Sequence, residues 1–200
     1  NRELAIKALS NALRPQGYDI IRTWLYYTVL RVYLLTGKPA FKWVRITGMG
    51  LDEKGEAMHK SKGNVIYPEP YLERYGADAF RYWSAAAAKL GSDYRWSERI
   101  VRTGFLFVTK LLNIARFIST FPEVNDEFKL RPIDEAMLTY VWSVSQKVIK
   151  AYDELDVYEP INELYTLAWD VFASNYIETV KARAYKLSSY SEEEVRGAWY

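Results

Sequence analysis

Apolar residues in the second half of the chain recur at intervals of three and four, which is the spacing of one face of an α-helix. The pattern predicts three long helices after Ser92, with Pro132 and Pro160 at the starts of the second and third. Their apolar positions are Val101, Phe105, Val108, Leu112 and Ala115; Ile133, Met137, Val141, Val144 and Val148; and Ile161, Leu164, Ala168, Phe172, Tyr176 and Val180. Ser191 and Glu194 fit a capping box that begins a fourth helix. Long amphipathic helices with short links predict an antiparallel bundle.

The first third has a different pattern, which predicts a strand, a helix and a second strand. After the turn-rich residues 14–17, Asp19 suits an N-cap or a first-turn acid. Apolar residues continue from Ile20 to Leu35, and Gly37 is the expected C-cap. Residues 43–47 are short and β-branched, as expected of a buried strand. A helix between two strands is the usual crossover of a parallel pair, so we expect a parallel sheet.

Between these parts, residues 48–64 are rich in glycine and charge and predict a surface loop, and two short helical stretches follow, separated by Gly76. The predicted fold class is therefore α/β plus all-α, mostly helical overall. The ends, Asn1–Glu3 and Trp199–Tyr200, resemble neither a natural start nor a natural end, and we expect a piece of a longer protein.

Composition narrows the class of protein. Half of the 200 residues are hydrophobic and 16% are aromatic, which is enough apolar surface for a folded core. The chain has no cysteine, which excludes disulfides and cysteine metal sites and favours a cytoplasmic location. The sequence shows neither a membrane-spanning run nor a signal-peptide layout. His59 is the only histidine, so we expect no bound metal.

The net charge of +2 is unevenly distributed. Residues 1–66 have eleven basic and five acidic side chains, whereas residues 126–200 have eight basic and fourteen acidic ones. The basic first third suggests an anionic ligand there, and the acidic last third argues against a uniform nucleic-acid platform.

Residues 55–64, GEAMHKSKGN, carry the most informative chemistry. Lys60, Lys62 and His59 lie close together in sequence between two glycines. Ammonium groups neutralise charge that develops on a phosphoryl group, and glycines permit close backbone approach. The alternative is a solvated lysine loop, which three basic residues alone would favour.

This loop resembles the second signature of the class I aminoacyl-tRNA synthetases, Lys-Met-Ser-Lys-Ser. Met58, Lys60 and Ser61 match its second, fourth and fifth positions, whereas Ala57 and His59 replace the lysine and serine of the first and third. The flanking residues 48–52, GMGLD, and 75–83, YGADAFRYW, also fit this family.

The resemblance implies roles for these residues. The second lysine of the signature makes the principal phosphate contact, so Lys60 and Ser61 would be catalytic. Met58, His59 and Lys62 would complete the ATP-binding loop, and Gly48 and Met49 would offer backbone groups to adenine; for these two the alternative is a strand-ending turn.

Residues 14–24, RPQGYDIIRTW, resemble the valine-specific branch of the same family, particularly its archaeal type. There the Gly-x-Asp element binds the adenylate, which maps to Gly17 and Asp19. The valine pocket maps to Ile20 and Trp24, which share a helix face. The alternatives are an N-cap for Asp19 and ordinary helix core for the other two.

The resemblance spans nearly the whole chain and implies three regions. Residues 1–66 would be the C-terminal part of a Rossmann-type catalytic domain, residues 67–103 a connecting helical region, and residues 104–200 a truncated anticodon-binding bundle. The implied reaction uses valine, ATP with Mg²⁺ as substrate and tRNA(Val), without a resident cofactor or a membrane, in a monomeric parent enzyme. The fragment lacks the family's His-x-Gly-His signature, so we expect it to be inactive alone.

Three other functions fit the sequence less well. An isoleucine-type synthetase is disfavoured by residues 15–16 and 22–24. A non-catalytic helical tRNA-binding module is disfavoured by the lysine-rich loop of residues 55–64 and by Asp19. A small nucleotidyltransferase should carry its own His-x-Gly-His, which this sequence lacks.

Basic residues that follow the lysine-rich loop of residues 55–64 suggest a contact with tRNA. On a continuous helix Arg95, Arg99, Arg102 and Lys110 would gather on one side, away from the apolar face. A phosphate-binding stripe and a solvated charged face are nearly equal alternatives. Trp142 and Trp169 could stack on RNA bases, but their spacing and neighbours favour core packing.

Overall fold

The computed structural model of the chain describes residues 2–9, 12–187 and 189–200, which divide into two compact units. The first unit contains Asn1–Tyr67 and Ala87–Ser97, and the second contains Pro68–Ala86 and Glu98–Tyr200. None of the described helices is long and apolar enough to cross a membrane.

The first unit contains the predicted strand–helix–strand arrangement. Helix α1 is Arg2–Leu9, strand β1 is Leu13–Gly17, helix α2 is Tyr26–Thr36 and strand β2 is Trp43–Thr47. A 3₁₀ turn at Tyr18–Ile20 and a π turn at Ile21–Leu25 lead into α2. The β1 and β2 strands pair in parallel, with Leu13 opposite Trp43 and Gly17 opposite Thr47. The predicted parallel pair and the C-cap at Gly37, where φ is 68°, are therefore confirmed. The prediction of a turn at residues 14–17 is wrong, because these residues form β1 by pairing with β2.

The expected burial of the second strand is wrong. Trp43 and Val44 of β2 are exposed. An apolar strand is buried when layers cover both faces of its sheet. Among the described residues, however, the β1–β2 sheet has only two strands.

A second parallel pair follows β2. Strand β3 is Gly50–Leu51 and strand β4 is Tyr94–Arg95, with Gly50 opposite Tyr94. Between them, α3 (Glu69–Tyr75) and α4 (Ala77–Ala86) belong to the second unit, and Gly76 at φ 82° separates them as predicted.

Long helices make up the rest of the second unit. They are α5 (Glu98–Ile118), α6 (Pro132–Asp153), α7 (Tyr158–Tyr165), a π-helical segment (Thr166–Tyr176), α8 (Ile177–Ala184) and α9 (Glu192–Trp199). Pro132 begins α6 as predicted, but α7 begins two residues before Pro160. The capping box of α9 is confirmed, because Ser191 Oγ accepts from Glu194 N and Glu194 Oε2 accepts from Ser191 N.

The buried face of α5 differs from the predicted one. Val101, Gly104 and Phe107 are buried, whereas Phe105 and Leu112 are exposed. Apolar residues occur on two sides of this helix, so spacing alone does not select the face that packs. The aromatic rings of Tyr82, Phe107 and Tyr165, which join α4, α5 and α7, decide it. Burial raises the pKa of Tyr82 to about 12.

A buried ion pair lies in the second unit. Asp134 and Arg183 are 1% and 3% exposed, and Arg183 Nη1 donates to Asp134 Oδ2 at 2.7 Å. Asp134 also accepts from the hydroxyl of Tyr176 at 2.9 Å and from Arg131 N at 2.7 Å. Burial favours the neutral acid, but these hydrogen bonds outweigh it, and the pKa of Asp134 is lowered. The pair connects the first turn of α6 to α8.

Candidate functional site

The lysine loop, residues 52–64, begins where β3 ends and opens with a tight hairpin turn. Asp52 N donates to the carbonyl of Glu56 at 2.8 Å, and Gly55 N donates to the carbonyl of Asp52 at 3.0 Å. Gly55 has φ 86°, and a Cβ there would lie 2.5 Å from the guanidinium of Arg95. The left-handed backbone conformation therefore favours glycine at the turn, and the Arg95 guanidinium packs against it.

Asp52 is the central acceptor of this turn. Its Oδ1 accepts from the backbone N–H groups of Lys54 at 2.9 Å and Glu56 at 2.8 Å, and its Oδ2 accepts from Asn64 Nδ2 at 2.8 Å. The hydrogen bond from Asn64 is the main reason that the pKa of Asp52 is lowered, with the Glu56 N–H next. The side chain therefore stays ionised at neutral pH.

Asn64 connects the two arms of the loop. Besides its bond to Asp52, its Nδ2 donates to the carbonyl of Ala57 at 3.1 Å, and its Oδ1 accepts from His59 N at 2.9 Å. Neither Asp52 nor Asn64 was among the predicted site residues. The signal that could have found them is the placement of an acid and an amide at the two ends of a lysine-rich loop.

The signature residues occupy two environments. Lys60–Lys62 form one 3₁₀ turn that Gly63 ends at φ 67°, and its side chains are exposed. Lys62 Nζ lies 3.5 Å from the carboxylate of Glu56, whereas Lys60 has no ion pair among the described residues. Met58 is partly buried, and its sulfur accepts from Ile66 N at 3.5 Å. Met58 therefore anchors the loop, while Lys60 and Ser61 face outward.

The predicted adenylate residues Gly17 and Asp19 lie at the carboxyl end of β1. Asp19 is in the first turn after the strand, not at the N-cap, which is Gly17. The carboxylate lies back over Gly17, because a Cβ there would be 2.7 Å from Asp19 Oδ1. Carboxyl ends of parallel strands are where ligands bind in open α/β sheets.

Gly48 and Met49 follow the carboxyl end of β2, beside the end of β1. Gly48 lines a cavity of about 160 Å³ together with Tyr18, Thr47 and Asp93, so both strand ends open into one cavity. A Cβ on Gly48 would lie 2.0 Å from the carbonyl oxygen of Ser92. Close backbone packing therefore requires glycine at position 48.

The backbone groups of Met49 already have partners. Its N–H donates to Asp93 Oδ1 at 2.8 Å, and its carbonyl accepts from Tyr94 N at 3.0 Å. Asp93 was not predicted, although Gly91–Asp93 reads as a turn.

Ile20 and Trp24 are 41% and 52% exposed in the described chain, so they are not helix core here. The guanidinium carbon of Arg14 lies 5.5 Å from the centre of the Trp24 ring. Ile20 and Trp24 both lie in the turns that follow β1, and their exposed apolar side chains are accessible to a small aliphatic ligand.

The predicted basic stripe is wrong in one member. Arg95 lies in strand β4 over Gly55, so it does not continue the face of α5, which begins at Glu98. Helical spacing does not hold at Arg95, because this residue pairs with Leu51 of β3. Arg99, Arg102 and Lys110 do lie on α5, and Lys110 Nζ lies 5.3 Å from the centre of the Trp169 ring.

The two tryptophans differ from the core prediction to different degrees. Trp169 is partly buried and stacks on Tyr165 with centroids 5.6 Å apart. Trp142 is 66% exposed, so the expectation of core packing is wrong for it. The buried face of α6 passes through Val144 and Val148, and Trp142 lies outside it.

Comparisons with known proteins cover most of the chain. The family described as tRNA synthetases class I (I, L, M and V) matches residues 3–97, and the anticodon-binding domain of tRNA ligase matches residues 134–200. The valine--tRNA ligase of Aeropyrum pernix is 58% identical over 96% of this chain, and that of Pyrobaculum aerophilum is 57% identical over 93%.

A crystal structure of Mycobacterium tuberculosis methionyl-tRNA synthetase bound by methionyl-adenylate has the same fold as this chain. It superposes with a TM-score of 0.73 at 20% identity, over 98% of this chain and 39% of that one. The chain spans about a quarter of the length of the two valine--tRNA ligases, 24% and 23%.

Proposed function

This chain belongs to the class I tRNA synthetases, and we propose that it is the segment of a valine--tRNA ligase that supplies part of the adenylate site and the start of the anticodon-binding helices. The observation that carries the proposal is its 58% identity to a valine--tRNA ligase over 96% of its length, in a sequence that includes the lysine loop. The parent enzyme would act as a monomer in the cytoplasm.

The reaction has two steps. Valine and ATP, accompanied by Mg²⁺ as part of the substrate, give valyl-adenylate and pyrophosphate, and the valyl group then moves to the terminal ribose of tRNA(Val). No side chain acts as a nucleophile, so positioning and charge stabilisation supply the rate. Lys60, which has no ion pair among the described residues, would stabilise the charge that develops at the α-phosphate. Ser61 and Lys62 would assist it, with His59 beside them.

The adenylate would lie along the carboxyl ends of β1 and β2. The Asp19 carboxylate would accept from the ribose hydroxyls beside Gly17, and Gly48 would permit close approach of adenine. The N–H of Met49 is already bound to Asp93, so its contribution would be the second lone pair of its carbonyl. Ile20 and Trp24 would contact the side chain of valine.

The regions of the chain divide the work. We propose that residues 1–66 form part of the Rossmann-type catalytic domain, with residues 67–103 as the connecting region and residues 104–200 as the anticodon-binding bundle. The parallel β1–β2 pair supports the first region and the helices α6 to α9 support the third, whereas the boundary between residues 103 and 104 falls inside α5. On α5, Arg99, Arg102 and Lys110 would contact tRNA phosphates, and Arg95 would instead support the lysine loop.

Amino-acid-dependent ATP–pyrophosphate exchange by the full-length protein tests the proposal. We expect exchange with valine and much less with isoleucine, leucine or methionine. Preference for isoleucine would identify the isoleucine enzyme instead. No exchange with any amino acid, together with tRNA binding, would identify a binding module. The chain of residues 1–200 alone should give no exchange.

A further inference from the structure

One polar pair closes the base of the lysine loop. Asp52 and Asn64 are twelve residues apart in sequence, yet Asn64 Nδ2 lies 2.8 Å from Asp52 Oδ2. Asp52 is 7% exposed and Asn64 is half-buried, whereas the loop between them is mostly exposed. The Asp52–Asn64 pair therefore forms the shielded end of an otherwise solvated segment.

The remaining hydrogen bonds of the pair go to the backbone of the loop. Asp52 holds the N–H groups of Lys54 and Glu56, and Asn64 holds the carbonyl of Ala57 and the N–H of His59. These bonds fix both arms of the loop, and the last of them ends at the residue that precedes Lys60. The backbone position of Lys60 therefore depends on the pair.

Lys60 depends on a fixed backbone because its side chain forms no ion pair among the described residues. It is also exposed, so its long side chain is anchored only through its backbone. A cation stabilises a transition state most when it is held in place before the reaction, since no free energy is then lost in orienting it.

We propose that Asp52 and Asn64 are positioning residues for adenylate formation, which act by holding the loop backbone from which Lys60 projects. This inference rests on the proposed function. The side-chain hydrogen bonds of the pair all go to groups of the loop itself. These partners are neutral backbone and amide groups, so the Asp52 charge is satisfied within the loop and does not form an ion pair with Lys60.

The test uses three variants of the full-length protein. Asn64→Asp places a second carboxylate 2.8 Å from Asp52 and removes the donor to Ala57. In Asp52→Asn, the amide oxygen at position 52 keeps the N–H groups of Lys54 and Glu56, so its NH₂ group faces the NH₂ group of Asn64 and neither accepts. The double variant, Asp52→Asn with Asn64→Asp, restores one bond, because the amide at 52 donates to the carboxylate at 64. Glu53→Gln is the matched control, since Glu53 is an exposed acid in the same loop.

We expect Asn64→Asp to lower the kcat of valine-dependent pyrophosphate exchange by about tenfold to a hundredfold, the cost of a misplaced catalytic group. The KM for valine should stay within about twofold of wild type, because the pair lies outside the proposed valine pocket. The double variant should recover part of the loss, and Glu53→Gln should behave as wild type.

Amide hydrogen exchange of residues 53–63, measured without substrates, provides a second readout. It should accelerate in Asn64→Asp and return toward wild type in the double variant, at an unchanged melting temperature. Unchanged kcat in Asn64→Asp, with or without faster amide exchange, overturns the positioning role alone. A double variant no better than the worse single variant also overturns it. If the wild-type protein shows no ATP–pyrophosphate exchange with any amino acid, the proposed function itself is overturned.

Discussion

Each unit of the molecule contains a buried aspartate that accepts several hydrogen bonds, and the two aspartates differ in their partners. Asp52 in the first unit binds two backbone N–H groups and the neutral amide of Asn64. Asp134 in the second unit binds the guanidinium of Arg183, a tyrosine hydroxyl and one N–H. The pKa of both carboxyl groups is lowered.

The difference follows from what each aspartate connects. Asp134 joins segments 49 residues apart inside packed helices, where burial demands a full opposite charge. Asp52 joins the two ends of one exposed loop, where neutral donors are sufficient. With these neutral partners, Asp52 forms no ion pair with Lys60. Asp134 therefore joins two helices of the second unit, whereas Asp52 holds the backbone of the lysine loop in the first unit.

The largest effect should come from breaking the buried ion pair. Arg183→Met leaves Asp134 charged and unpaired in the interior, so we expect a loss of about 3–5 kcal/mol in the free energy of unfolding. Adding Asp134→Leu should recover much of that loss, because no buried charge remains. Chemical denaturation measures both. If Arg183→Met lowers the free energy of unfolding by less than about 1 kcal/mol, Asp134 does not depend on its charged partner, and the contrast with Asp52 fails.

Lys60 and Lys62 provide the next test, because they differ mainly in the Glu56 partner of Lys62. In the full-length enzyme, Lys60→Ala should slow adenylate formation by a few hundredfold, or about 3–4 kcal/mol, as for loss of one electrostatic contact to the transition state. Lys62→Ala should have a smaller effect, and neither should change the melting temperature. Equal effects of the two variants in pyrophosphate exchange would contradict the distinction.

Ile20 tests whether exposed apolar residues of the first unit serve specificity. Ile20→Ala should admit larger aliphatic amino acids, with a change of roughly 1–3 kcal/mol in the discrimination between isoleucine and valine. Ile20 is exposed in this chain, so the melting temperature of the variant should be nearly that of the wild type. Unchanged selectivity combined with a loss of about 2–5 kcal/mol in stability would identify Ile20 as core of the full-length protein instead.

Acid should produce the smallest effect, and comparison with Asp134→Asn separates the contribution of the second unit. The folded-state pKa of Asp134 lies below its unfolded value, so its contribution is complete above about pH 4 and is lost as the pH falls through the folded pKa. We expect the free energy of unfolding to decline below about pH 4, and to decline less steeply in Asp134→Asn. Parallel pH curves for the two proteins would show that Asp134 titrates alike in both states.

Local sequence rules predicted the elements whose determinants are local. The Gly37 cap and the capping box of Ser191 and Glu194 depend on neighbouring residues and were confirmed. The parallel β1–β2 pair was predicted from the alternation of elements, but the position of β1 on residues 14–17 was not, because that strand exists through pairing with β2. The buried face of α5 was not predictable, because Phe105 and Phe107 are equally apolar and only packing against Tyr82 separates them. Arg95 was misplaced for a similar reason, since its strand exists only through pairing with β3.

The candidate site shows the same division. The motif residues of the lysine loop were found from sequence, but the Asp52–Asn64 pair was not. Its geometry depends on Gly55 and Gly63, whose backbone conformations bring two distant side chains together. No spacing rule states that an acid and an amide twelve residues apart will meet.

The Asn64 side chain also makes the loop sensitive to slow chemical change at high temperature. Asparagine is thermolabile, and deamidation at position 64 would replace the amide that donates to Asp52 with a carboxylate. A heated enzyme could therefore lose its lysine-loop geometry while its helices stay folded. Inactivation would then follow the ageing of one amide and would not reverse on cooling.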